Sequence, residues 1–184
     1  MLRKAVFLDR DGVLNVCPGR DRFVLSWDAF HFMPGVREQL KRLRGAGFFL
    51  SLATRQSGIG RGLMTLETLH DIHARMQAAL GSEALDAIYF CPHHPDAGCT
   101  CRKPSPEMIL SACAQHGLDP RRSFLIGDQP RDIAMGHAAG CRTILCRDTP
   151  LDPATLQGEQ RPERAVSHLS EAVDWILSCE FDGQ

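Results

Sequence analysis

The sequence predicts an α/β protein with a central, mostly parallel β-sheet in a three-layer arrangement. Two observations lead to this expectation: short apolar runs alternate with amphipathic helical patterns, and clusters of polar residues follow directly after the apolar runs. Alternating strands and helices form βαβ units whose parallel strands are covered on both faces. A length of 184 residues suits one such domain, spanning 1–184.

Apolar runs predict five strands, and helical spacing of apolar residues predicts five helices. The first helix opens with a proline and closes with a glycine, which is typical of helix ends. The predicted strands are KAVFL (4–8), FFLSLAT (48–54), LDAIYFC (85–91), SFLIGD (123–128) and RTILC (142–146). The predicted helices are PGVREQLKRLRGAG (34–47), TLETLHDIHARMQAAL (65–80), SPEMILSACAQHG (105–117), RDIAMGHAAG (131–140) and LSEAVDWIL (169–177). Residues 147–164 are predicted to form a polar surface loop.

Composition narrows the class of partner. The chain has 21 basic and 22 acidic residues, which argues against a polyanion-binding surface and therefore against nucleic acid. The N-terminal apolar run is five residues long, too short for a signal peptide or a membrane span. We expect a cytoplasmic protein and a monomer; the charge balance does not argue against one small phosphorylated ligand. Five scattered cysteines are predicted to be small buried or half-buried thiols: Cys17, Cys113, Cys141, Cys146 and Cys179.

Two carboxylates, Asp9 and Asp11, stand two residues apart where the first strand meets a glycine-containing loop. Like charges so close need a cation or a proton between them, and Mg²⁺ binds through one or two carboxylates together with substrate phosphate. A solvated acidic loop would give the same short pattern. Asp128 ends the fourth strand, and Asp132 follows four residues later.

Two further strand ends carry groups suited to phosphate. Thr54 ends the second strand, where its hydroxyl and the loop amides could hold a phosphate, and Lys103 offers a point charge. In parallel sheets, ligands bind at the carboxyl ends of the strands. The order of these residues therefore predicts one phosphate-handling site.

The motifs DRDGVLN, TRQSG, CRKP and GDQPRD resemble, in order and spacing, the four signatures of the haloacid dehalogenase (HAD) superfamily of phosphohydrolases, over about residues 1–150. The segments SGIGRG and CPHH…CTCRKP look like the small, minimally capped, zinc-bearing branch. That branch includes heptose 1,7-bisphosphate 7-phosphatases of the ADP-heptose (lipopolysaccharide core) precursor pathway and histidinol-phosphate phosphatases. The resemblance implies a Rossmann-like HAD fold and an Mg²⁺-dependent phosphomonoesterase.

The resemblance also implies a role for each matching residue. Asp9 would be the nucleophile that becomes an aspartyl-phosphate, and Asp11 the general acid and then base. Mg²⁺ would be held by the Asp9 carboxylate, the Asp11 main-chain carbonyl and Asp128, while Thr54 and Lys103 would stabilise the transferring phosphoryl group. Substrate contacts are expected from the second and third signatures and from the loop after Asp9, at Arg10, Arg55, Gln56, Ser57 and Arg102.

The stretch CPHHPDAGCTC holds two pairs of soft ligands, Cys91 with His93 and Cys99 with Cys101. Three thiolates and one imidazole suit tetrahedral Zn²⁺ and leave no open position, so the site would be structural. A Cys99–Cys101 disulfide would close a very small strained ring, and free thiols are the other alternative. His93 is preferred over His94 because it matches the branch's Cys-Pro-His pattern; His94 is expected to face solvent or donate a hydrogen bond.

Two positions depart from the branch's usual pattern. Arg55 stands where asparagine is typical, and Gln129 stands where lysine often follows the aspartate. Arg55 could tighten phosphate binding, obstruct the pocket or point away from it. These departures affect the choice of substrate and leave the predicted reaction unchanged.

Overall fold

A computed structural model describes residues 2–19, 23–149, 151 and 156–181. Its strands are β1 (Ala5–Leu8), β2 (Phe49–Arg55), β3 (Ala87–Cys91), β4 (Phe124–Gly127), β5 (Arg142–Cys146) and β6 (Arg164–Val166). The α-helices are α1 (Val36–Gly45), α2 (Leu66–Leu80), α3 (Glu107–His116), α4 (Pro130–Ala139) and α5 (Leu169–Phe181). Short 3-10 turns lie at Trp27–Ala29, Gly81–Glu83, Pro95–Ala97, Pro120–Arg122 and Gly158–Gln160.

The strands form one parallel sheet in the order β3-β2-β1-β4-β5-β6. β2 and β3 lie on one side of the central strand β1. β4, β5 and β6 lie in that order on its other side. Leu8, at the end of β1, pairs with Leu52 of β2 and Ile126 of β4. The order therefore reverses between β1 and β4, and the crevice outside their carboxyl ends is where open parallel sheets bind ligands.

Burial on both faces explains why β1 reads as a continuous apolar run. Alternate side chains of a strand point to opposite faces, and all four residues of β1 are buried. Val6 and Leu8 pack in the layer that includes side chains of α1, α2 and α5. Ala5 and Phe7 pack in the layer that includes side chains of α3 and α4. Both layers hold the end of β1 in place, and with it the loop that begins at Asp9.

The five predicted strands and five predicted helices are confirmed, and the predicted sheet gains one strand. β6 begins at Arg164, the last residue of the predicted polar loop, and continues through two residues assigned to no element. It is three residues long with two of them exposed, so it lacks an apolar run and depends on pairing with β5. Part of the predicted loop, residues 150 and 152–155, lies outside the described residues.

The described part of the chain holds the cysteine-rich loop in the connection from β3 to α3. None of its helices is long and apolar enough to cross a bilayer. Among the scattered cysteines, the prediction is wrong for Cys17, which is exposed. The chain around it runs over the surface after β1, and the neighbouring Val16 is exposed too.

Candidate active site and metal site

Three carboxylates meet at the carboxyl ends of β1 and β4. Asp9 directly follows β1, Asp128 directly follows β4, and Asp132 lies in the first turn of α4. One carboxylate oxygen from each lies within 4.8 Å of the others, and all three residues are buried. Asp132 also accepts a hydrogen bond from the Gln129 main-chain N–H at 2.9 Å, which anchors it at the start of the helix.

Lys103 lies against this carboxylate group. Its ammonium nitrogen is 2.8 Å from an oxygen of Asp9 and 2.8 Å from an oxygen of Asp132, and the residue is 3% exposed. Burial acts to lower the pKa of Lys103, but Asp132 and Asp9 outweigh it and raise that pKa above its ordinary value. The lysine therefore stays charged.

One ammonium does not balance three buried carboxylates. Burial raises the pKa of Asp128 to about 7, and the charges of Asp9 and Asp132 add to that effect. Burial also raises the pKa of Asp9, although Lys103 opposes the rise. A buried all-oxygen donor set with excess negative charge fits a hard divalent cation such as Mg²⁺.

Gly12 allows the carboxylates to approach the loop after β1. Its φ is +93°, and a Cβ built there would lie 2.7 Å from Oδ2 of Asp128. A side chain at this position would therefore be strained and would displace Asp128. The glycine in DRDG is explained by this close approach.

Asp11 lies outside the three-carboxylate group and is held by hydrogen-bond donors on several sides. Nε and Nη2 of Arg10 lie 3.2 and 3.1 Å from its Oδ1. Nδ2 of Asn15 donates to Oδ1 at 2.9 Å, and Nε2 of Gln56 donates to Oδ2 at 3.2 Å. The sequence expectation that Asp11 reaches a metal through its main-chain carbonyl, and not its carboxylate, is compatible with this arrangement.

Two residues predicted to bind substrate, Arg10 and Gln56, have side chains that make hydrogen bonds within the protein. Arg10 has no exposed surface, and its guanidinium faces Asp11 and His73, so its side chain is not available to a substrate. Gln56 is 2% exposed, and its side-chain nitrogen donates to Thr54 as well as to Asp11. Gln56 thus ties the end of β2 to the loop after β1. Ser57 is also buried.

Arg55 ends β2 and is paired in register with Cys91 of β3. Burial, and then the charges of Arg131 and Arg102, lower its pKa to about 10. Arg102 has a buried Nη1 without a hydrogen-bond partner. The pKa of Arg55 thus responds to two other guanidinium groups as well as to Asp132 and Asp9, and such positive charge is suited to an anion.

The cysteine-rich loop gathers its four predicted ligands. The donor atoms of Cys91, His93, Cys99 and Cys101 all lie within 4.8 Å of one another. Three of the separations are 3.7 Å (Cys91–His93), 3.6 Å (Cys91–Cys99) and 3.2 Å (His93–Cys101). Donors placed about 2.0–2.3 Å from a tetrahedral ion stand about 3.3–3.8 Å apart. The cluster can hold a metal, and its cysteines form no disulfide.

His94 lies outside the cluster. Its Nδ1 accepts a hydrogen bond from the main-chain N–H of Asp96 at 3.3 Å, and its side chain is 41% exposed. It therefore faces solvent, as predicted, and it accepts a hydrogen bond within its own turn.

The SGIGRG loop packs directly on the cysteine-rich loop. The Gly60 N–H donates to the carbonyl of Pro92 at 2.8 Å, and the Gln56 N–H donates to the carbonyl of Cys91 at 2.8 Å. A Cβ on Gly60 would collide with the main chain of His93 and His94. The second signature and the cysteine-rich loop are thus held together backbone to backbone.

Cavity volume alone would place the active site away from the carboxylates. A cavity of about 400 Å³ is lined by leucines, Val166 and two arginines near β6, whereas one of about 210 Å³ opens beside Gly12 and Asp128. The larger cavity lacks the carboxylates and the buried lysine. We place the chemistry beside the smaller one because Asp128, a member of the three-carboxylate group, lines it.

Similarity to known proteins agrees with this geometry. Residues 100–172 match the family model described as HAD-hydrolase-like. The chain is 37% identical to the D-glycero-D-manno-heptose-1,7-bisphosphate 7-phosphatase of Thermosynechococcus vestitus, with 97% of each chain covered. It is 38% identical to the D-glycero-beta-D-manno-heptose-1,7-bisphosphate 7-phosphatase of Helicobacter pylori strain J99, covering 94% of this chain and 97% of that protein. The chain belongs to the haloacid dehalogenase superfamily.

A solved HAD structure places a metal and an anion in a closely similar fold. The D,D-heptose 1,7-bisphosphate phosphatase of B. bronchiseptica, complexed with magnesium and phosphate, superposes with a TM-score of 0.83 at 38% identity. The match covers 95% of this chain and 98% of that one. The four HAD signatures read from the sequence all lie at the carboxyl ends of strands in the present chain or in the loops that follow them.

Sequence reasoning assigned no role to three residues of the HAD site. Asp132 was noted only by its spacing, although a helix starting directly after a strand brings its first turn back to that strand end. Asn15 binds Asp11 from within the same loop. His73 lies on the buried face of α2, beside Ile72 and Met76. A polar side chain among apolar ones on this face is the sequence feature that indicates a buried contact for His73.

Proposed function

We propose that this protein is a phosphomonoesterase that hydrolyses the 7-phosphate of D-glycero-D-manno-heptose 1,7-bisphosphate, a step in the ADP-heptose precursor pathway. The observation that carries the proposal is the buried group formed by Asp9, Asp128, Asp132 and Lys103. The names of the relatives supply the substrate. Handling a phosphoryl group demands neutralised charge and a held nucleophile, and this group offers both.

Asp9 is the nucleophile in this proposal. Its carboxylate oxygen bonds to phosphorus while the bond from phosphorus to the sugar oxygen breaks, which gives an aspartyl-phosphate and an alkoxide. Lys103, 2.8 Å from Asp9, offsets negative charge on the nucleophile and the phosphoryl oxygens. Thr54 and the main-chain amides after Asp9 orient those oxygens. Mg²⁺, held by Asp9 and Asp128, would neutralise and orient the phosphoryl group.

Asp11 handles the proton in both half-reactions. It protonates the leaving alkoxide, then accepts a proton from the water whose oxygen attacks phosphorus and releases Asp9 and inorganic phosphate. Arg10 lies 3.1 Å from the Asp11 carboxylate and orients it for both steps. Arg55 and Arg102 would contact the far phosphate of a bisphosphate.

The cysteine-rich loop is proposed to hold Zn²⁺. Four protein ligands suit a structural site, and a metal there would restrain the loop that presents Arg102 and Lys103. Thiolate ligands are best kept in a reducing compartment such as the cytoplasm, and we propose that location.

A kinetic panel with Mg²⁺ tests the function. We expect the highest kcat/KM for the heptose 1,7-bisphosphate, with release of the 7-phosphate, compared with heptose 1-phosphate, other sugar phosphates and histidinol phosphate. A preference for histidinol phosphate would contradict the substrate assignment and leave the reaction class standing.

Asp9→Asn separates chemistry from folding. The amide cannot attack phosphorus, so turnover should fall at least about a thousandfold, because the covalent step has no substitute. Circular dichroism and the unfolding midpoint check that the variant is folded. Activity within tenfold of wild type would remove Asp9 as the nucleophile.

A further inference from the structure

His73 is buried beneath the loop that carries Asp11, although it touches none of the reacting groups. It lies on α2, is 5% exposed, and packs its ring against Phe90 at a centroid distance of 5.9 Å. Its Nε2 is 3.3 Å from Nη1 of Arg10. A guanidinium has donors and no acceptor, so His73 must accept this hydrogen bond through an unprotonated Nε2.

Arg10 connects His73 to Asp11. The guanidinium is fully buried, and its Nε and Nη2 face the Asp11 carboxylate while Nη1 faces His73. The planar fork of an arginine is rigid, so fixing Nη1 also fixes the plane in which the other nitrogens meet Asp11. Without an acceptor at His73, a buried donor would lose its partner, and Arg10 would gain freedom to rotate.

We propose that His73 is a positioning residue that, through Arg10, holds the Asp11 carboxylate in the orientation needed to accept a proton from the attacking water. This inference rests on the proposed function of Asp11. It concerns the second half-reaction, in which the proposed function has Asp11 accept the proton of the attacking water. Burial, and then the charge of Arg10, lower the pKa of His73 to about 3, so the acceptor persists at neutral pH.

The test compares His73→Asn with His73→Gln, using 4-nitrophenyl phosphate and Mg²⁺. The glutamine side chain reaches the place of Nε2 and can accept from Arg10, whereas asparagine is too short. The nitrophenolate leaving group needs no proton, so a rapid burst reports formation of the aspartyl-phosphate and the slow phase reports its hydrolysis. Far-ultraviolet circular dichroism and urea midpoints establish that each variant is folded.

We expect His73→Asn to slow hydrolysis by about 10- to 100-fold, the cost of a small misplacement of a catalytic group, and to change the burst rate less than about threefold. His73→Gln should hydrolyse the intermediate within about threefold of wild type. The inference is overturned if both phases slow equally, if His73→Asn hydrolyses like wild type, or if glutamine fails to restore the rate.

Asp11→Asn serves as the reference. If Asp11→Asn slows the hydrolysis phase and His73→Asn does not, the positioning role of His73 is wrong and the role of Asp11 as base is kept. If Asp11→Asn leaves hydrolysis unchanged, the base assigned in the proposed function is wrong, and the positioning role is overturned with it. A burst that survives in Asp9→Asn would instead contradict the nucleophile.

Discussion

At the scale of single residues, the candidate site holds more buried negative charge than its lysine neutralises. Three buried carboxylates face one lysine, and the lysine bridges two of them. Breaking a buried ion pair costs about 3–5 kcal/mol because a buried charge loses its partner. Lys103 therefore holds the site together in addition to its proposed contact with phosphate, and a cation of charge two relieves what Lys103 leaves unbalanced.

Arg55 is the residue at which substrate preference can be tested. Burial and then the charges of Arg131 and Arg102 lower its pKa, and a guanidinium can bind two phosphate oxygens where asparagine cannot. Arg55→Asn should raise KM for the bisphosphate more than for a monophosphate, by about ten- to hundredfold for a lost charge-assisted hydrogen bond. Steady-state kinetics on both substrates provide the measurement.

Arg121→Asn is the matched control for Arg55. Its side chain is 86% exposed and it precedes β4, at the opposite end of the sheet from the carboxylates, so neither KM should change. A rise in kcat/KM for Arg55→Asn would indicate that Arg55 obstructs the pocket. Unchanged constants would indicate that it does not face the substrate.

At the scale of elements, two neighbouring loops are joined by main-chain hydrogen bonds. The loop after β2 and the cysteine-rich loop after β3 share main-chain hydrogen bonds through Gln56 and Gly60. One loop carries Thr54 and Gln56, and the other leads into Arg102 and Lys103. A disturbance of the metal ligands should therefore reach the phosphate-handling residues on both.

Gly60→Ala tests the contact between the loops. Its Cβ would meet main-chain atoms, which cannot rotate away, so we expect a loss of about 1–3 kcal/mol in the free energy of unfolding, as for other overpacked sites, together with faster loss of metal to a chelator. Gly58→Ala is the control, because the nearest atom to its Cβ is a methionine methyl at 3.5 Å. Equal effects of the two substitutions would count against the close contact.

Metal content tests the cysteine-rich loop itself. Elemental analysis of protein purified without chelator should find one Zn²⁺ per chain. Cys99→Ser should lower zinc content and the unfolding temperature, since binding energy of such a site is folding energy. Cys113→Ser, a substitution of a half-buried thiol outside the cluster, should leave zinc content unchanged. Metal-free protein of equal activity and stability would exclude a structural zinc.

At the scale of the whole molecule, the sequence predicted what local patterns encode. β1, β2 and β4 are buried apolar runs, so both their positions and the polar residues after them could be read directly. β6 could not, because a short exposed edge strand has no pattern of its own. The ion pair of Asp132 with Lys103 and the contact of His73 with Arg10 join distant segments, and spacing along the chain does not reveal them. The single domain over 1–184 stays a prediction.

The stability of the whole protein should depend on pH through two buried groups. As pH rises, one lowers the free energy of unfolding and the other raises it. Asp128 has a pKa of about 7, above its ordinary 3.8, so the folded state binds more protons than the unfolded state between these values, and stability falls as pH rises. His73 has a pKa of about 3, below its ordinary 6.5, so stability rises with pH up to about 6.5. Each group changes the free energy of unfolding by at most about 1.4 kcal/mol per pH unit.

Urea unfolding from pH 5 to pH 8, with EDTA and with Mg²⁺, separates these contributions. In EDTA, Asp128→Asn should gain stability relative to wild type as pH rises, because it carries no buried charge. Between pH 5 and pH 6.5 the Asp128 and His73 contributions oppose each other in the wild type, so His73→Gln should lose stability relative to the wild type as pH rises. The proposed Mg²⁺ site consists of ionised carboxylates, so stabilisation of the wild type by Mg²⁺ should grow from pH 5 to pH 8 and nearly vanish in Asp128→Asn. A stabilisation by Mg²⁺ that is independent of pH, or that survives in Asp128→Asn, would place the ion elsewhere than at Asp9 and Asp128.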